Sequence, residues 1–115
     1  DSCGTCYQVT ENLMDVVGAV AGSAPAYVFM FMEAMADAAV AGGMTREMAY
    51  KMAAQTVLGS GKLMLETGKH PGVLKDMVCS PAGTTISGVK VLEEQGMRGA
   101  IMNALDSCIQ KSKKI

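Results

Sequence analysis

Between Pro25 and Ala41 the chain carries Tyr27, Val28, Phe29, Met30, Phe31, Met32, Met35 and Val40, against Glu33 and Asp37 as its charges. Wound as a helix, these apolar residues point in every direction, whereas a surface helix shows one apolar stripe. Glu33 and Asp37 fall one turn apart on the same side. A helix that is apolar nearly all round has to be central to its fold. A chain of 115 residues is about one domain with one core, which leaves two ways to cover such a helix. Either a second subunit buries it, which is the arrangement expected here, or it is the central helix of a compact monomeric bundle.

Composition points to helices throughout. Half of the residues are apolar, yet two phenylalanines, three tyrosines and no tryptophan contribute. Eleven methionines and many alanines fill the core instead. Methionine adapts to irregular gaps, alanine lets helix axes approach closely, and both favour helix. β-Branched residues are scattered rather than clustered, so the fold class predicted is all-α.

A pass along the chain gives six helices. The first spans Glu11 to Val20, capped by Thr10, and Ala21-Gly22-Ser23-Ala24 breaks it. Ser23 caps the second, with Pro25 in its first turn, where a missing N–H costs nothing. Gly42-Gly43 ends that helix with one glycine left-handed. Thr45 caps the third, from Arg46 to about Thr67, which stops at Gly68. Its Gly59-Ser60-Gly61 is costly by propensity, at roughly 1 kcal/mol per glycine, and marks either a close approach or a kink. Pro71 opens a short helix to Val78, a fifth runs from Gly83 or Thr84 to before Gly96, and a sixth covers about Arg98 to Lys113.

The chemistry concentrates in Lys75-Asp76-Met77-Val78-Cys79-Ser80-Pro81-Ala82-Gly83-Thr84-Thr85-Ile86. Thr84 and Thr85 fall where a helix begins. The first amides of a helix have no internal partner, and its dipole favours negative charge there. Gly83 removes bulk from the approach, and Ser80, Thr84 and Thr85 offer hydroxyls. A carboxylate is the natural guest, and no lysine is needed to hold it. The same residues also spell an ordinary helix start, so both readings stand at this point.

Other polar residues carry less. Lys75 and Asp76 are neighbours and are not expected to face each other on a helix. His70 has no assignable acid or nucleophile beside it and reads as an exposed turn residue. Cys79 has no base partner and reads as buried. Ser23 is a cap that would also reach a ligand if a cleft adjoins it. Glu33 and Asp37 read as solvent-exposed or as half of a cross-helix salt bridge, since a metal would need further ligands. Cys3 and Cys6 have the spacing of half a zinc knuckle without a second pair, so free thiols in a reducing compartment are expected and no metal.

A formal net charge of −1 gives no general pull on nucleic acid or anionic lipid. The basic tail Lys111-Ser112-Lys113-Lys114 reads as a solvated terminus. No run reaches about 18 uncharged apolar residues, so no membrane span is expected. No signal peptide is visible, and a start at Asp1 without methionine reads as a fragment or a processed chain. There is no glycine-rich phosphate loop after a strand, hence no nucleotide fold within these residues.

The run Ala21-Gly22-Ser23-Ala24-Pro25-Ala26-Tyr27 resembles a serine-glycine-serine-glycine-proline-alanine-tyrosine phrase of the pyrroline-5-carboxylate reductases. His70 to Ile86 resembles the signature of the same family, and Ala53-Ala54-Gln55-Thr56-Val57-Leu58-Gly59 and Met102-Asn103-Ala104 also fit. The similarity covers nearly the whole chain from Gly4 onward. It is to the C-terminal half of that enzyme, with residues 1–115 as the dimerisation and substrate-site domain and the N-terminal Rossmann cofactor domain absent.

The resemblance implies an interlocked helical bundle forming a homodimer, with a decamer of five dimers as a frequent higher assembly. It implies hydride transfer from NADPH or NADH, bound mainly by the N-terminal domain, to 1-pyrroline-5-carboxylate, giving L-proline in the last step of proline biosynthesis. Ser80, Gly83, Thr84 and Thr85 would then bind the substrate, with the Thr85 hydroxyl on its ring nitrogen as the catalytic contact. A cytoplasmic location follows, with the mitochondrion as alternative; neither nucleic acid nor membrane is a partner.

Two positions depart from the family, which commonly has glycine where this chain has Ala24 and Ala82. A methyl group is tolerable at either if the backbone has φ below zero. The fragment alone is expected to be inactive as a reductase. An oligomerisation module and a carboxylate-binding regulatory module without activity are the rival readings.

Overall fold

The computed structural model describes residues 13–114, and all of its regular structure among them is helical. Cys3, Cys6, the Thr10 cap and the Glu11 start lie outside the described residues. The elements are α1 (Met14–Val17), a π-helical turn (Gly18–Ser23), α2 (Ala24–Ala41), α3 (Arg46–Thr67), α4 (Pro71–Val78), α5 (Thr84–Glu94) and α6 (Met97–Lys113).

The expected break at Ala21–Ala24 does not occur. Ser23 is helical (φ −95°, ψ −36°) and its side chain caps nothing. Met14 to Ala41 is one continuous helix of 28 residues. Pro25 inside a helix removes one donor and crowds the carbonyl four residues back. The chain absorbs this by widening one turn: the Ala24 N–H reaches back five residues to the Ala19 carbonyl. Joined in this way, Met14–Ala41 is long and apolar enough to cross a membrane by length and composition alone, a length that two separate helices would not have offered.

The remaining boundaries follow the sequence reading. The Thr45 hydroxyl accepts the Met48 N–H at 3.4 Å, Gly43 (φ +107°) ends the α2 corner, and Gly68 (φ +67°) stops α3. His70 does more than sit in a turn, since its Nδ1 accepts the Gly72 N–H at 2.9 Å and caps α4.

Helices α2 and α3 form a hairpin whose seam is alanine: Ala36 is fully buried, with Ala49 and Ala53 at 2% and 3% exposure. Across its corner Arg46 donates to Asp37 at 2.9 Å, the cross-helix pair foreseen for that carboxylate, and its guanidinium lies 5.8 Å from the Tyr50 ring centre. That hydrogen bond, reinforced by one to the Tyr50 hydroxyl, raises the Arg46 pKa further. At the other end, α6 packs on α1 and the π turn, with α5 beside it. There the Cys108 Sγ–H donates to Ser23 Oγ at 3.1 Å, and Ser112 Oγ donates to Asp15 at 2.6 Å.

This arrangement leaves most apolar bulk uncovered. Val28, Phe29, Met30 and Phe31 of α2 are exposed, as are Leu58 and Leu65 of α3. The accessible surface is 9033 Å², where a compact 12.0 kDa monomer has about 6,000 Å². The radius of gyration is 16.4 Å against about 13 Å for a compact domain of this length. A monomeric bundle that encloses α2 is therefore not what the chain forms. Helix α3 runs unbroken through Gly59-Ser60-Gly61, and a Cβ on Gly59 or Gly61 would have no atom within 4 Å. Within one protomer, no close approach accounts for them.

Candidate functional site

The segment between α4 and α5 is a tight turn. The Gly83 N–H donates to the Ser80 carbonyl at 3.1 Å, closing four residues with Pro81 second and Ala82 third. Proline followed by a residue of positive φ is the type II pattern, and Ala82 indeed has φ +58°. It is the one non-glycine residue with positive φ among those described. An L-residue in this region costs about 1–2 kcal/mol. The condition under which alanine would be harmless is thus not met at Ala82. It is met at Ala24, which is helical with φ −60°. Replacing Ala82 with glycine is expected to stabilise the chain by about 1 kcal/mol, net of glycine's larger unfolded-state entropy. Denaturant midpoints would show it, and an unchanged or lowered midpoint would contradict the strain assigned here.

Gly83 then opens α5 in an extended conformation (φ −80°, ψ 178°) and offers no side-chain cap. Thr84, Thr85 and Ile86 supply the first-turn amides that have no helical acceptor, while the Gly83 amide is spent on the turn. Among the described residues no side-chain hydrogen bond involves Ser80, Thr84 or Thr85. All three are exposed. The Ser80 Oγ lies over Gly83, so close that a Cβ there would sit 2.5 Å from it. The rim from Ser80 to Ile86 therefore carries one exposed serine, two exposed threonines and three amides without a helical acceptor. Such a rim can hold a carboxylate by hydrogen bonds and by the helix dipole without a cation.

Neighbouring residues sort themselves out. Cys79 is half-buried rather than buried. Lys75 and Asp76 do pair, at 3.2 Å, contrary to the helical-face argument. They lie in the last turn of α4, where a long lysine side chain can fold back, and an exposed pair of this kind contributes little. Ser23 belongs elsewhere, engaged by Cys108 of α6. Nothing in the local sequence signals that contact between residues 85 positions apart, because only the packing of α6 on the π turn creates it. The left-handed Ala82 and the His70 cap had weak local signals: proline at the second turn position, and histidine directly before a Pro-Gly helix start.

The sequence pattern of the family described as pyrroline-5-carboxylate reductase dimerisation matches residues 11–115. The chain belongs to that family. It is 60% identical over 112 residues to the pyrroline-5-carboxylate reductase of Escherichia coli strain K12, covering 97% of this chain and 42% of that protein. It is 57% identical to the one from Methanosarcina acetivorans over the same shares. The crystal structure of 1-pyrroline-5-carboxylate reductase from Streptococcus pyogenes superposes with a TM-score of 0.93 at 37% identity, over 97% of this chain and 43% of that one. The Plasmodium falciparum pyrroline carboxylate reductase with NADP bound gives 0.91 at 35%, over 98% and 46%. The chain thus spans about two fifths of the length of these relatives. As a pyrroline-5-carboxylate reductase dimerisation domain, it has a reason for its bare apolar helices: a second protein surface is what such a domain meets.

Proposed function

We propose that residues 1–115 are the C-terminal part of a reductase that converts 1-pyrroline-5-carboxylate to L-proline, and that they supply both its homodimer interface and the carboxylate end of its substrate site. The observation that carries this is the open Ser80–Thr85 rim beside helices built for burial, within a chain 60% identical to such an enzyme.

In this reading Ser80 Oγ and the Thr84 and Thr85 amides hold the substrate carboxylate, and the Thr85 hydroxyl contacts the ring nitrogen. Gly83 contributes no amide, because the turn already uses it. The nicotinamide cofactor, NADPH or NADH, supplies the hydride to the C=N carbon, and the nitrogen gains a proton. No side chain of this rim is a strong acid, so its work is positioning. We assign cofactor binding to a segment outside this chain, which spans about two fifths of its relatives' length. A second copy, rather than lipid, covers the apolar surface: exposed Met77, Val78, Leu65 and Met102 extend it well beyond Met14–Ala41, and a single membrane span would leave them bare. We place the protein in the cytoplasm, in line with its bacterial relatives, and propose a ring of five dimers as its larger assembly.

The test is a chimaera in which this chain replaces the matching segment of the Escherichia coli relative. It is expected to oxidise NADPH in the presence of 1-pyrroline-5-carboxylate, whereas the pure chain alone does not. Turnover by the pure chain, or a folded chimaera that is inactive, would overturn the assignment.

A further inference from the structure

We propose that Gly83 is a positioning residue for the carboxylate site: its missing side chain is the space that holds the Ser80 hydroxyl at the start of α5. The proposal rests on the carboxylate-binding reading above and adds a role for a residue whose own amide is occupied.

Two observations carry it. The Gly83 N–H is satisfied by the Ser80 carbonyl at 3.1 Å, so the residue does not act as a donor to a ligand. A Cβ built on it would meet Ser80 Oγ at 2.5 Å and the Ser80 carbonyl oxygen at 3.2 Å, with the Ser80 Cβ at an ordinary 3.7 Å. Backbone conformation does not demand glycine, since φ is −80° and ψ 178°. What excludes a side chain is the serine hydroxyl. Its rotamer is one of a few staggered wells, and a methyl group at Gly83 closes the occupied one. The hydroxyl would swing to another well, out of the place it now holds over Gly83 at the start of α5.

By contrast, Gly18, Gly22, Gly59, Gly61, Gly88 and Gly99 have nothing within 4 Å of a built Cβ. Gly72 faces only the side chain of the histidine it bonds to. Gly83 is thus the described glycine whose missing side chain lets a candidate ligand-binding hydroxyl take its place.

The experiment is a double-mutant cycle, Gly83→Ala with Ser80→Ala, in the chimaera. Gly83→Ala alone is expected to raise KM for 1-pyrroline-5-carboxylate by about 10- to 100-fold, the loss of one hydrogen bond to a charged group. In the Ser80→Ala background the same change should shift KM by no more than about twofold. The strain against the Ser80 carbonyl is common to both backgrounds and cancels. A Gly83→Ala cost that persists at full size in the Ser80→Ala background would overturn the proposal, because glycine would then serve the backbone alone. Denaturant midpoints of the 115-residue variants give the second cycle, needed if Gly83→Ala folds poorly: the destabilisation should be smaller in Ser80→Ala, where only the contact with the Ser80 carbonyl remains, and equal destabilisation in both backgrounds counts against the steric coupling. An inactive unsubstituted chimaera would instead remove the carboxylate reading, and the positioning role with it.

Discussion

Phe29→Glu combined with Leu58→Glu turns the chain from a dimer into a monomer. In the single protomer Phe29 is 61% and Leu58 63% exposed, although each is a large apolar side chain on a regular helix. The protomer exposes about 3,000 Å² more than a compact chain of its mass. Over two protomers that excess is about 6,000 Å², enough to supply the roughly 2,000–5,000 Å² or more, counted over both partners, that obligate dimers bury. Withdrawing a leucine and a phenylalanine from such an interface forfeits about 1.5–3 kcal/mol each. Placing carboxylates there adds a desolvation cost of several kcal/mol per ion. Together these raise the dissociation constant by at least about a thousandfold. Light scattering across a dilution series reads the effect directly. The unsubstituted chain should remain dimeric at low micromolar concentration and the doubly charged one should not. A doubly charged chain that stays dimeric would move the interface away from α2 and α3.

Ala36→Leu should destabilise the chain by about 3 kcal/mol, even though it makes the residue more hydrophobic. Ala36 has no accessible surface, and the α2–α3 seam is closed by Ala49 and Ala53 from the other side. With methyl groups on both sides, the helix axes can lie at the short end of the usual 8–10 Å range. Three added carbons have no room there, and overpacking of this kind costs about 1–3 kcal/mol. The upper figure applies because Ala36 is fully buried at a seam of alanine methyl groups, which have no other rotamer to adopt. Urea unfolding monitored by circular dichroism gives the number. A change below about 0.5 kcal/mol, the range of ordinary surface substitutions, would show that the hairpin is looser than its seam implies.

Much of the fold was legible because it depends on local chemistry. Thr45 before Arg46, Gly43 and Gly68 at helix ends, and Pro71 at a helix start act through their own backbone and nearest amides. These interactions span three or four residues, and the sequence displays them. The Ser80–Thr85 rim was legible for the same reason: hydroxyls, a glycine and a helix start are neighbours along the chain.

Other features were not, and each has a physical cause. Ala21–Ala24 contains the residues of a break, yet the helix runs on: one widened turn accommodates Pro25, and α6 packs on both α1 and that turn. The Ser23–Cys108 contact depends on that packing. Whether Ala82 is strained depended on a dihedral angle that alanine itself does not dictate.

By itself, the sequence determined an all-helical chain, the ends of most helices, the hydroxyl-rich start of α5 and, through the apolar girth of Pro25–Ala41, the need for a partner surface. Only the tertiary structure decided that Met14–Ala41 is one helix, that alanines alone close the hairpin, that Gly83 makes room for the Ser80 hydroxyl, and that Ala82 sits at positive φ. The division follows the range of the forces. Capping, propensity and patterning act within a few residues, whereas the spacing of helix axes is settled by contacts between distant parts of the chain; the Ser80–Gly83 turn is local, but its backbone well depends on a geometry that alanine does not dictate.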